Sequence, residues 1–152
     1  MSEGLRTIAL AFAALGAGFT WQSFRTMAIP ASAPDRLVAE LRLSQVAAML
    51  LALVAGMSIG VAASHEQVPG VALDVAMAVG FFVCATAMLV RDPRQALTVL
   101  ALAFAVHAVF AVAHRPGSPL PDGLVPRWFT VGGAVYDVCI GALCYLPMLR
   151  RS

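Results

Sequence analysis

Lysine is missing from this 152-residue chain, and charge of any kind is scarce: Asp, Glu and Arg together make up 12% of it. A soluble domain carries roughly a quarter charged residues, so this chain has too few to cover a surface that faces water. With 61% hydrophobic residues and a mean hydropathy of +0.86, the apolar excess must face another solvent, and lipid is the simplest one. All ten cationic side chains are Arg, which fits codons rich in G and C and carries no mechanistic information. The formal net charge is only +2, which leaves no basic patch to bind nucleic acid.

Cysteine is also sparse. Cys84, Cys139 and Cys144 all lie inside apolar runs. An odd count buried in hydrocarbon argues against a disulfide framework, and without a CxxC pair a zinc site built on thiolates has no basis. Catalytic signatures are missing too: there is no GxSxG, HExxH, Walker loop or GxGxxG. Ser58 falls in an apolar run with no adjacent base. No defensible nucleophile exists, so the reading leans away from an enzyme.

Long apolar runs are what the chain does have. A spanning helix needs about 20 mostly apolar residues, and five segments meet that requirement: 7–24, 43–63, 69–90, 96–113 and 128–149. The sequence therefore predicts an all-α, polytopic helical membrane protein: five transmembrane helices in a compact bundle, forming one transmembrane domain over 1–152. The connections are short and carry helix breakers. Pro34 suits a first helical position and Asp35 complements the dipole there. The second helix is thus expected to start near Pro34 and protrude from the membrane as a polar stub. Between Arg115 and Arg127 stand Pro116, Gly117, Pro119, Pro121, Gly123 and Pro126. That much proline predicts a stiff, irregular loop, ordered over the mouth of the bundle and shielding His114.

Arginine placement orients the chain. With five spans, Arg25, Arg36, Arg42, Arg91, Arg94, Arg150 and Arg151 fall on one side, and Arg6, Arg115 and Arg127 on the other. The positive-inside rule puts the first group in the cytoplasm. The expected location is a bacterial cytoplasmic (inner) membrane, multi-pass, with the amino terminus outside and the carboxyl terminus cytoplasmic. Ala31-Ser32-Ala33 resembles a signal-peptidase site, but cleavage there would reverse every later loop against the arginine bias.

Lipid supplies no hydrophobic drive between helices, so small residues should mark packing faces. Gly56 and Gly60 form a GxxxG in the second span, and Ala14 and Gly18 stand four apart in the first. Gly133, Asp137 and Gly141 follow at four-residue steps in the fifth. Packing within the chain is the first reading and a homodimer face the second. Met57, Met77 and Met88 are spaced as ordinary core residues.

Ionisable groups within the spans are functional candidates by default. Asp137, His107 and Asp74 qualify as an intramembrane polar cluster; at 1.5 Å of rise per residue they lie about 13, 10 and 7 Å below the outer surface. His65, Glu66 and His114 sit above them on the same side. His107 and Asp137 are expected to face each other or share one polar cavity. Tyr136 points to another face of its helix and is assigned no shared role. The pair could be an interhelical hydrogen-bonded clamp, a proton or ion pathway, a haem or quinone pocket, or part of a metal site. The last suffers because His107 and His114, seven residues apart, are about 10 Å apart along the axis. No cofactor is expected outright. The leading function is a non-enzymatic membrane protein acting as a subunit or homo-oligomer in a membrane assembly, its partners the lipid bilayer and other membrane subunits or itself. The alternatives are a small proton-coupled transporter or channel using Asp137 and His107, and a haem- or quinone-binding redox subunit.

Overall fold

A computed structural model describes residues 3–65 and 67–149. Glu66, Arg150 and Arg151 lie outside the described residues. Five helices follow one another: α1 (Glu3–Ala28), α2 (Pro34–Ala63), α3 (Val71–Met88), α4 (Pro93–Ala113) and α5 (Arg127–Leu149). All five are long and apolar enough to cross a bilayer, and no strand occurs among the described residues. Their outward faces are apolar as well: Leu10, Val90, Leu102 and Val109 are largely exposed. A helix bundle dressed in aliphatic side chains is stable in lipid rather than water. By length and composition, this is a multi-pass membrane protein.

Each helix boundary has a local cause. Pro34 occupies the first turn of α2, where its missing N–H loses nothing. Pro93 does the same for α4, and the Asp92 carboxylate accepts from the backbone N–H groups of Arg94 (3.0 Å) and Gln95 (3.3 Å), capping two orphan donors. This cap starts α4 three residues before the predicted 96. Gly70, at φ 90°, stops the chain before α3. A Cβ at Gly70 would lie 2.7 Å from the Pro119 carbonyl, so glycine is needed both for the left-handed backbone and for the close approach of the long loop.

The helix α2 runs through the middle and touches all four others. On one flank α3 packs against α2 and α4, and on the other α1 packs against α5 and α2. Leu43, Ala47, Leu51, Leu97, Leu100, Phe104, Ile140 and Cys144 fill the centre, with Ala55, Ala85 and Ala96 letting backbones approach. Near the end of α5, Pro147 cannot donate to the carbonyl of Leu143. Ser23 of α1 donates to that carbonyl instead, at 2.8 Å.

The polar start of α2 does not protrude as a solvated stub. Arg36 and Glu40 are buried, continuing the same helix face as Leu43, Ala47 and Leu51. The glycine reading also needs correction. Gly56 and Gly60 are exposed, and a Cβ at either, or at Gly18 or Gly133, would meet nothing within 4 Å. Gly141 alone of the predicted packing glycines is a contact point: a Cβ there would stand 3.1 Å from the Ala101 carbonyl and 3.3 Å from the Phe104 Cβ. In an alanine-rich chain, methyl groups already permit close packing, so a GxxxG spacing need not mark the contact.

Candidate functional site

Two acid–histidine pairs sit toward one end of the bundle. His107 and His114 project from the same face of α4, two turns apart, and α5 and α3 supply the acids. The His107 Nδ1 and Asp137 Oδ2 are hydrogen-bonded at 2.6 Å, and both side chains are buried. Phe81 meets the His107 ring edge-on at 4.9 Å and holds its orientation. The other pair is His114 with Asp74, at 3.0 Å. Asp74, in the first turn of α3, pairs with His114 and lines the same cavity as His107 and Asp137.

The two histidines differ chemically. Both ring nitrogens of His114 face acceptors: Nε2 faces the Asp74 carboxylate and Nδ1 the Phe110 carbonyl at 3.0 Å. Only imidazolium donates to both. Accordingly, His114 binds its proton more tightly than a free imidazole, first through the hydrogen bond to Asp74, while its burial works in the opposite direction. His107 has an acceptor on one side only. Its Nε2 is buried without a hydrogen-bond partner, as are the second carboxylate oxygen of Asp137, Oδ1, and the Tyr136 hydroxyl.

All of these residues line one cavity of about 320 Å³. Ala9, Phe12 and Ala13 of α1 and Val54, Met57 and Val61 of α2 form apolar walls, Ser58 beside them turns its hydroxyl to the Val54 carbonyl, and Leu124 and Val125 of the long loop border the cavity. Its loop position fits the expectation that 115–127 covers the bundle mouth: Leu120 is buried in the core and its N–H is held by the Ser118 hydroxyl. Gly133, predicted as a packing residue, opens space in the cavity wall instead. Tyr136 also belongs here. Successive helix residues stand about 100° apart, which separates faces in a tight interface but not around a wide cavity. Gly16 made room for it: a Cβ at that position would come within 2.8 Å of the tyrosine ring. His65 does not join the site; its Nδ1 bonds the Val61 carbonyl and the Ser64 hydroxyl at the exposed end of α2. Glu66 lies outside the described residues. Among the described residues, no three His, Cys, Asp or Glu side chains gather as metal ligands.

A further buried ionic cluster occupies the opposite end of the bundle. Arg36 Nε donates to Glu40 Oε1 at 2.8 Å, and Arg94 Nε to Glu40 Oε2 at 2.9 Å. The Arg36 guanidinium also donates to the carbonyls of Thr26, Ile29 (3.0 Å) and Pro147 (2.9 Å). It thereby satisfies the carboxyl-terminal ends of α1 and α5 together. The sequence held a signal for it: 36, 40, 43, 47 and 51 recur at helical spacing, so Arg36 and Glu40 extend an apolar stripe.

The fold and site define a five-helix membrane bundle with a partly open cavity walled by paired acids and histidines. No family model matches this chain, and no curated protein or solved structure does either.

Proposed function

We propose that this protein binds a small, largely apolar molecule within the membrane and engages its polar part with the His107–Asp137 pair. One observation carries the reading: His107 Nε2, Asp137 Oδ1 and the Tyr136 hydroxyl are buried without partners around a cavity of about 320 Å³. Leaving each such group unpaired costs about 1–3 kcal/mol, which a structural clamp has no reason to bear. The volume is in the range of small-molecule sites, about 300–1,000 Å³. A proton-coupled transporter is the form of this reading that uses the pair most fully. The arginine bias supports a bacterial cytoplasmic membrane with the amino terminus, and hence the cavity, on the outer side. Trp128 lines the cavity and Trp21 does not. Trp21→Phe protein in nanodiscs therefore reports the site by fluorescence. Titration with a short-chain quinone and with small aromatic solutes should quench Trp128 saturably, and enlarging Gly133 to Leu should abolish the response. Unsaturable quenching that survives Gly133→Leu would count against the proposal.

A second reading, a subunit or homo-oligomer of a membrane assembly, is favoured by the open face at Gly56 and Gly60. A foreign helix could approach α2 closely there. Crosslinking from cysteines placed at these positions tests it.

A further inference from the structure

The cavity brings together two features that neither the pair nor its volume explains. Five of the chain's twelve aromatic residues line it: Phe12, Phe110, Trp128, Phe129 and Tyr136. Its acidic groups are carboxylates, and no arginine among the described residues lines it. An apolar solute needs neither feature, since aliphatic side chains would enclose it equally well. Aromatic faces beside a desolvated carboxylate are the arrangement that stabilises a weakly hydrated cation, through the ring quadrupoles and the nearby charge.

Among the described residues, the charge inventory of the cavity is short. From α3 it receives Asp74, from α4 and its cap His107 and His114, and from α5 Asp137 and Tyr136; α1 and α2 contribute no titratable group. Arg115 and Arg127 are exposed and do not line it. His114 and Asp74 cancel as imidazolium and carboxylate. The His107–Asp137 pair is neutral overall while it holds two protons, one on Nδ1 or Oδ2 and one more on Nε2 or Oδ1. With only the shared proton it carries one negative charge. The apolar walls around the pair favour the neutral state, because an isolated charge in such surroundings is expensive.

On the reading that this cavity binds ligands, we infer that its ligand is a lipophilic cation, a quaternary or protonated amine with an apolar body, taken up in exchange for one proton. The entering cation replaces the second proton of the His107–Asp137 pair, which leaves for the outer aqueous phase. The remaining proton stays between Nδ1 and Oδ2, and the total charge of the site is the same before and after. Rising pH then favours binding, by about tenfold per unit while the pair is doubly protonated.

An isosteric pair of probes tests the charge. Benzyltrimethylammonium is cationic, and neopentylbenzene has the same shape without the charge. Both are titrated into Trp21→Phe protein in nanodiscs, and proton release is followed in weakly buffered solution. The expected result is saturable binding of the ammonium, tighter at higher pH, with one proton released per cation. Asp137→Asn should weaken ammonium binding by about 100-fold, in line with removing one partner of a desolvated charge pair, and leave neopentylbenzene binding intact. That retained binding also shows that the variant is folded. Equal binding of both probes, or ammonium binding without proton release, overturns the cation-for-proton exchange while leaving the ligand cavity in place. Failure of both probes and of the quinone overturns the cavity reading itself.

Discussion

The two ends of the bundle bury charge in opposite ways. At one end, Arg36 donates to a carboxylate and three carbonyls, and Glu40 is held between two guanidinium groups. At the other, His107 and Asp137 make one bond to each other and leave an atom apiece without a partner. A saturated cluster has nothing left to offer a ligand, so its work is to tie α1, α2, α4 and α5 together. An unsaturated pair in a cavity wall retains donors and acceptors that only something from outside the fold can meet. Burial of charge is common to both ends; what separates them is the hydrogen-bonding capacity left over.

Breaking the saturated end should have the largest effect. Glu40→Leu leaves Arg36 buried without its carboxylate and is expected to destabilise the protein by about 3–5 kcal/mol, read as a lower unfolding temperature in detergent with loss of α1 packing. Asp137→Asn sharpens the contrast. The amide still meets His107 and the wild-type carboxylate was half unpaired, so stability should fall by no more than about 1 kcal/mol while binding of the ammonium probe weakens. An unfolding temperature lowered as far as by Glu40→Leu would erase the distinction between the two ends.

The His114–Asp74 pair lies between these extremes, and pH exposes it. His114 has a raised folded-state value, so its contribution is complete below the unfolded imidazole value of about 6.5. It is lost as pH rises through the higher folded value. Wild-type stability should therefore decline over that window, and His114→Gln should flatten the decline; an unchanged slope in the variant refutes the assignment. The smallest effect is expected on the open face. Gly56→Ala meets no atom within 4 Å and should raise stability by up to about 1 kcal/mol through helix propensity. If α2 associates with another helix there, the same change should reduce the oligomer mass measured by light scattering.

Helix number and type were legible because apolar runs of spanning length have one stable form in lipid. Boundaries were read less well where caps rather than hydropathy set them, as at Asp92-Pro93 and Gly70. The meeting of His107 and Asp137 could be anticipated from their matching depth on helices joined in sequence. Depth could not assign Asp74, because two histidines were within reach and only the start of α3 decides which one it meets. Tyr136 was missed through a rule that holds for flat interfaces and fails around a cavity. Arg36 and Glu40 were hidden because a charged segment before an apolar run looks like a solvated end unless its periodicity is followed through. The glycine motifs misled for the reverse reason, since spacing alone cannot tell an occupied face from an open one.

The seat of α1 has a consequence for how the chain is made. Its buried contacts Phe19, Ser23 and Thr26 face α2 and α5, and the carbonyl that receives Ser23 belongs to α5, made after the other four helices described here. The helix α1 thus acquires half of its neighbours only once α5 has been made. Until then, the walls contributed by Phe12 and Tyr136 stand apart. The chamber is the last feature that these five helices complete, and a nascent chain arrested just past α4 has the Asp74–His114 pair but no chamber around it.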